Sequence, residues 1–212
     1  MKKCIEDYRG ALFDLDGTLA DSMGIWDTIA RDWLLAQGKV PEDGLEGALA
    51  MLTLKQSSAY LIQRYGLRLS PPQLIAEWEG MVIAAYQSTV ALKPAIANLV
   101  RSLHRAGARL ALVTSSFPAA SEAFLERWDL RPYFTALVYT DEAPGDKSSS
   151  AIWLVAAKRL GVPPSDCVVF EDLYPALRGA RAAGMDFAAV YDAHCKDWEA
   201  MKEEADWVFN EL

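Results

Sequence analysis

The sequence predicts an α/β protein: a doubly wound, Rossmann-like parallel sheet with a small helical cap domain inserted after its first strand. Three observations lead there. Five short apolar runs punctuate the chain, helical stripes separate most of them, and one long stretch between the first two runs carries helical stripes alone. Parallel strands buried on both faces read as continuous apolar runs, and their alternation with helices marks a parallel sheet.

The elements follow in order. Ala11-Leu12-Phe13 is the first strand and ends at Asp14. From about Asp21 to Leu92 no strong strand pattern occurs. Ile25, Ile29 and Trp33, then Leu74, Trp78, Met81 and Val82, recur at helical spacing. This divides the chain into a core of residues 1–20 and 92–212 and a helical cap of residues 21–91. Open α/β sheets bind ligands at the carboxyl ends of their strands, and a lid there is the expected use of the insert. Trp26, Trp33 and Trp78 sit at helical spacing and are read as cap core in preference to a substrate platform, with Trp26, close to the hinge, the best exception. Ile96, Leu99, Val100 and Leu103 form the next helical stripe, closed by Gly107. Leu110 to Val113 is the second strand and Ala136 to Val138 the third. Ile152, Val155, Ala156 and Leu160 form a helix stopped by Gly161. Val168 to Phe170 is the fourth strand, the alanine-rich helix of Ala176 to Ala183 stops at Gly184, and Phe187 to Val190 is the fifth strand.

Bulk properties narrow the function. The chain has 212 residues, 52% of them hydrophobic, enough for one domain plus an insert. A net charge of −8 lacks the basic footprint of a nucleic-acid binder and argues against anionic membranes. Cys4, Cys167 and Cys195 form no CxxC pair, so neither a disulfide framework nor a zinc site is expected, and a reducing cytoplasm fits. Met1 to Arg9 is charged and lacks a signal-peptide apolar run, and no run approaches the ~20 residues of a membrane span. Nothing points to an obligate assembly, and a monomer is expected. His104 and His194 are isolated and are read as surface or packing residues, and Lys202-Glu203-Glu204 as a solvated helix face.

Polar groups gather where the strands end. The first strand runs into Asp14-Leu15-Asp16-Gly17-Thr18-Leu19, the second into Thr114-Ser115-Ser116, and the fourth into Glu171-Asp172; Lys147 lies in the loop after the third. In a sheet of this class these ends share one crevice. Carboxylates from separate strand ends repel one another unless a cation holds them. Oxygen ligands beside a phosphate point to Mg2+. One carboxylate is then available to attack phosphorus, and an acid two residues away can protonate the departing alkoxide. A phosphate substrate is repelled by the overall charge, so the lysine, a hydroxyl and backbone N–H groups must neutralise it locally.

The segment from Asp14 to Ser22 resembles the first motif of the haloacid dehalogenase (HAD) superfamily of phosphatases. Leu112 to Ser116 resembles the second motif, Lys147 the third, and Val169 to Asp172 through Gly184-Met185 the fourth. The position of the insert resembles the subfamily with a helical C1-type cap, which includes β-phosphoglucomutases and phosphoglycolate phosphatases. The resemblance implies a Mg2+-dependent phosphatase acting on a small phosphorylated metabolite through an aspartyl-phosphate. Asp14 would be nucleophile and metal ligand. Asp16 would be general acid/base and lend its backbone carbonyl to the metal. Thr114, Ser115 and Lys147 would bind phosphate; Asp172 would ligate the metal, and Glu171 would ligate it or support it.

Two departures stand out. The motif lysine of many relatives is followed by proline, whereas Ser148 follows Lys147. After the acidic pair many relatives carry Ser and, three residues on, Gly; here Leu173 and Ala176 stand there. The β-phosphoglucomutases carry histidine four residues after the linker Ser/Thr. Trp26 occupies that place after Ser22, which sets the phosphosugar mutase reading second. Dehalogenases lack the aspartate that Asp16 supplies. An inactive HAD-fold binding module is the alternative from another class, and it is disfavoured because Asp14, Asp16 and Asp172 are all present.

Overall fold

A computed structural model of the chain describes residues 3–50 and 52–210. The chain forms two compact units, residues 1–21 with 90–212 and residues 22–89.

The first unit is built on a six-stranded sheet. Its strands are β1 (Gly10–Phe13), β4 (Arg109–Thr114), β5 (Phe134–Tyr139), β6 (Cys167–Glu171), β7 (Asp186–Val190) and β8 (Trp207–Phe209). The order is β5-β4-β1-β6-β7-β8, and every pair is parallel. A separate antiparallel pair joins β2 (Ala20–Asp21) to β3 (Ala91–Leu92), so the chain leaves and re-enters this unit side by side. The pair β2–β3 and the strand β8 are additions to the sequence reading. Two or three residues leave no measurable periodicity, and β8 lies at the sheet edge with two half-buried residues around an exposed Val208.

The sheet helices are α5 (Pro94–Arg105), α6 (Pro118–Arg127), α7 (Ser150–Leu160), α8 (Tyr174–Ala182) and α9 (Trp198–Glu204). Leu12, Val113 and Val169 of the sheet form one core with Ile152, Trp153 and Leu160 of α7 and Leu177 of α8. Side chains alternate across a strand, so Phe13 and Phe170 point to the opposite face, where their rings stack at 4.4 Å. On α5 the stripe buries Ile96, Val100 and Leu103. Gly161 ends α7 at φ +65°, a left-handed cap that an L side chain resists.

The second unit is helical: α1 (Met23–Ala36), α2 (Leu45–Leu49), α3 (Leu54–Tyr65) and α4 (Pro71–Ser88). A capping box starts α3, in which the Gln56 N–H donates to Thr53 and the Thr53 N–H to the Gln56 side chain. Ile29, Trp33, Leu61, Leu74, Trp78 and Val82 are buried in it. The Trp33 indole donates to Glu77 at 2.7 Å. Trp26 is half-buried and donates to the Tyr86 hydroxyl at 3.3 Å. Among the described residues no helix is long and apolar enough to cross a membrane.

Candidate active site

With β1 between β4 and β6, the chain departs to opposite sides of the sheet from its centre, which opens a crevice at the carboxyl ends of these three strands. Asp14 directly follows β1. Its N–H donates to the Phe170 carbonyl at 3.0 Å and so carries the strand register one residue past the apolar run. Thr114 is the last residue of β4, Glu171 the last of β6, and Asp172 comes next. All four are buried.

Lys147 joins two of these ends. Its Nζ donates to Asp14 Oδ1 and, at 2.6 Å, to Glu171 Oε1. The other Glu171 oxygen accepts the Leu173 N–H at 2.6 Å. Oxygens of Asp14, Glu171 and Asp172 all lie within 4.8 Å of one another. Asp172 also accepts from the Thr18 hydroxyl at 3.3 Å. Gly17, at φ +84°, makes this approach possible, since a Cβ there would collide with the Asp172 carboxylate.

The electrostatics follow from burial. Three buried carboxylates lie around one buried ammonium, which bonds two of them directly. Burial and the neighbouring Glu171 push the Asp14 carboxyl up to about 7 despite Lys147. Burial, Glu171 and Asp14 drive the Asp172 carboxyl well above the usual range. Burial pulls Lys147 down, but Asp14 and Glu171 outweigh it and hold the ammonium above the ordinary lysine value.

The Lys147 loop is built without the proline that usually follows the motif lysine. Asp146 accepts the Ser148 N–H at 2.9 Å, and the Trp153 indole donates to the Lys147 carbonyl at 2.9 Å. Gly179 of α8 gives the loop room. A Cβ there would collide with the Lys147 carbonyl and lie 2.7 Å from Trp153 Nε1.

The structure thus brings Asp14, Lys147, Glu171 and Asp172 into one cluster. The Asp16 carboxyl is outside that cluster among the described residues; Asp16 is half-buried, on the otherwise buried turn after β1. Ser115 is exposed beyond β4. Sequence reasoning missed Ser116, whose buried Oγ has no partner among the described residues, and it missed Thr18, Trp153 and Gly179. Thr18 and Gly179 meet Asp172 and Lys147 from far along the chain, Trp153 reaches a backbone carbonyl six residues away, and the Ser116 hydroxyl is marked only by its burial, so no local pattern picks them out.

The chain belongs to the haloacid dehalogenase-like hydrolase family, whose description matches residues 8–184. It is 35% identical over 192 residues to fructose-1-phosphate phosphatase YqaB of Escherichia coli (strain K12), covering 87% of this chain and 97% of that one. It is 31% identical to hexitol phosphatase A of the same organism, covering 86% of this chain and 82% of that one. In fold it is similar to CbbY from Rhodobacter sphaeroides in complex with phosphate, with a TM-score of 0.80 at 24% identity over 96% of this chain and 94% of that one.

Proposed function

We propose that this hydrolase is a Mg2+-dependent phosphatase that acts on a small phosphomonoester through an aspartyl-phosphate on Asp14. The buried cluster of three carboxylates around Lys147 carries this reading. Its donor set fits a hard divalent cation: all ligands are oxygens, and the single ammonium leaves an excess of negative charge that burial makes costly. Asp14 and Asp172 would hold the ion, with the Asp16 carbonyl. Glu171, whose two oxygens already accept from Lys147 and Leu173, would set Lys147 in place. When bound, Mg2+ supplies positive charge that lets an anionic phosphoryl group enter a carboxylate-lined site.

The residues then divide the work. An Asp14 oxygen forms a bond to phosphorus as the ester P–O bond breaks, and Asp16 gives a proton to the departing alkoxide. Asp16 next removes a proton from water, which attacks phosphorus and releases Asp14 and inorganic phosphate. Thr114, the Ser115 N–H and Lys147 clamp the phosphoryl oxygens. The helical insert of residues 21–91 would act as the cap that selects the substrate. The phosphatase names of the two relatives support a phosphorylated sugar or sugar alcohol.

The test is phosphate release from sugar phosphates, nucleotides and small phospho-acids, with and without Mg2+, beside Asp14→Asn. Mg2+-dependent release that the variant loses supports the reading. No release by folded, Mg2+-loaded wild type rejects it and turns attention to phosphosugar mutation or a binding role.

A further inference from the structure

Lys93 belongs to none of the motif segments, yet it is a lysine only 9% exposed. It directly follows β3 and caps the start of α5. Its ammonium donates to the Gly17 carbonyl at 2.5 Å, to the Tyr191 carbonyl at 3.0 Å and to Asp192 Oδ2 at 2.8 Å. Its own N–H donates to the Leu19 carbonyl at 2.8 Å. One residue therefore grips the turn after β1 twice. Asp192, also buried, follows β7 and holds the ammonium; its second oxygen accepts the His194 N–H at 2.9 Å.

Gly17 is held from other directions too. Its N–H donates to the Ala20 carbonyl at 2.9 Å, and the Asp172 carboxylate packs against its Cα. A glycine at φ +84° has no side chain to resist rotation of its peptide planes. External bonds must hold the turn, and the Lys93 ammonium is the strongest of them, because a charged donor makes a hydrogen bond roughly twice as strong as a neutral one. Asp16 is joined to Gly17 by one peptide bond.

We propose that Lys93, anchored by Asp192, is a positioning residue for Asp16: it fixes the Gly17 carbonyl and so sets where the Asp16 carboxyl meets the leaving group. This rests on the phosphatase reading, in which Asp16 is the general acid. A burial that served stability alone would affect all substrates alike. Positioning of an acid has a distinct signature, because proton donation matters most when the leaving group is basic.

The experiment compares kcat/KM for phenyl phosphate and 4-nitrophenyl phosphate, esters of similar shape whose leaving groups differ in basicity. The variant is Lys93→Met with Asp192→Asn, which removes both buried charges together and leaves neither unpaired. Thermal melting checks its fold. Positioning predicts a loss on the order of 10-fold or more with phenyl phosphate and about 3-fold or less with 4-nitrophenyl phosphate, a fraction of the ~10²–10⁴ that a general acid contributes. Equal losses with both esters, or no loss, overturn the proposal. If the double variant does not fold, Asp192→Asn alone carries the comparison: it keeps both carbonyl bonds of Lys93 and predicts the same bias, smaller in size. An unbiased Asp192→Asn then overturns the proposal. Wild type that hydrolyses neither ester rejects the phosphatase reading, and the inference with it, a result separate from an active wild type with unbiased variants.

Discussion

Lys147 and Glu171 meet 2.6 Å apart in the buried crevice, and the same ammonium reaches Asp14, so a single cation ties the loop after β5 to the ends of β1 and β6. Lys147→Met removes the internal counter-charge of three carboxylates. Breaking a buried charge set by deleting one partner costs about 3–5 kcal/mol. The metal-free variant should therefore melt well below wild type, and added Mg2+ should recover part of that loss. Turnover should fall by roughly 10²-fold or more, the order seen when an anion-stabilising donor is removed. Calorimetry with and without Mg2+ reads the first effect and phosphate release the second. An unchanged melting temperature would show that Lys147 is not the counter-charge of the cluster.

Asp14→Asn separates chemistry from folding. An acid whose carboxyl is raised to about 7 by burial costs the fold stability at pH values above its ordinary range, because the unfolded chain ionises it freely. The neutral amide removes that cost. The variant should lose at least about 10³-fold in turnover, as nucleophile deletions do, while its metal-free melting temperature stays level or rises at pH 8. Full activity in Asp14→Asn would disprove its assignment as nucleophile.

Gly179→Ala tests how the Lys147 loop is seated. The added methyl meets a backbone carbonyl that cannot rotate aside. Overpacking of this kind costs about 1–3 kcal/mol. A lower urea midpoint and a lower kcat/KM are expected together, since the carbonyl displaced belongs to Lys147 itself. Trp153→Phe keeps most of the ring volume but leaves that carbonyl without its indole donor, at a cost of about 1–3 kcal/mol. If either variant were as stable and active as wild type, the loop would not depend on this contact.

The Lys93–Asp192 pair also sets an acid limit. Burial raises the Asp192 carboxyl, but the Lys93 ammonium and the His194 N–H outweigh it and leave it below its ordinary value. A depressed carboxyl stabilises the fold above the unfolded-state pKa, and that contribution disappears as pH falls through the folded value. Asp192→Asn should cost roughly 1.5–3 kcal/mol near pH 7, the range for a hydrogen bond to a charged group. The gap to wild type should narrow below about pH 4. Melting curves from pH 3 to pH 8 check this, and a gap constant across that range would refute it.

Mg2+ should stabilise as well as activate. A ligand that binds only the folded state at 100 times its Kd adds about 2.7 kcal/mol. A rise in melting temperature with Mg2+ that is absent in Asp172→Asn is expected, and chelation should remove it along with turnover. A metal response equal in the two proteins would place the ion elsewhere.

By itself the sequence determined the parallel sheet, its main helices and the helical insert, because each rests on short-range periodicity and on glycine stops such as Gly161 and Gly184. It also marked Asp14, Thr114, Lys147, Glu171 and Asp172 as strand-end or loop groups, because apolar runs end at polar residues where the chain leaves the core. The tertiary structure decided which of them touch. Whether Lys147 meets Asp14 depends on strand order and on the room left by Gly179, and neither leaves a trace in neighbouring residues. The seat of Lys93 was decided the same way. Gly17, Tyr191 and Asp192 come to it from segments far apart in the chain, and only the packed sheet brings their oxygens within reach of one ammonium.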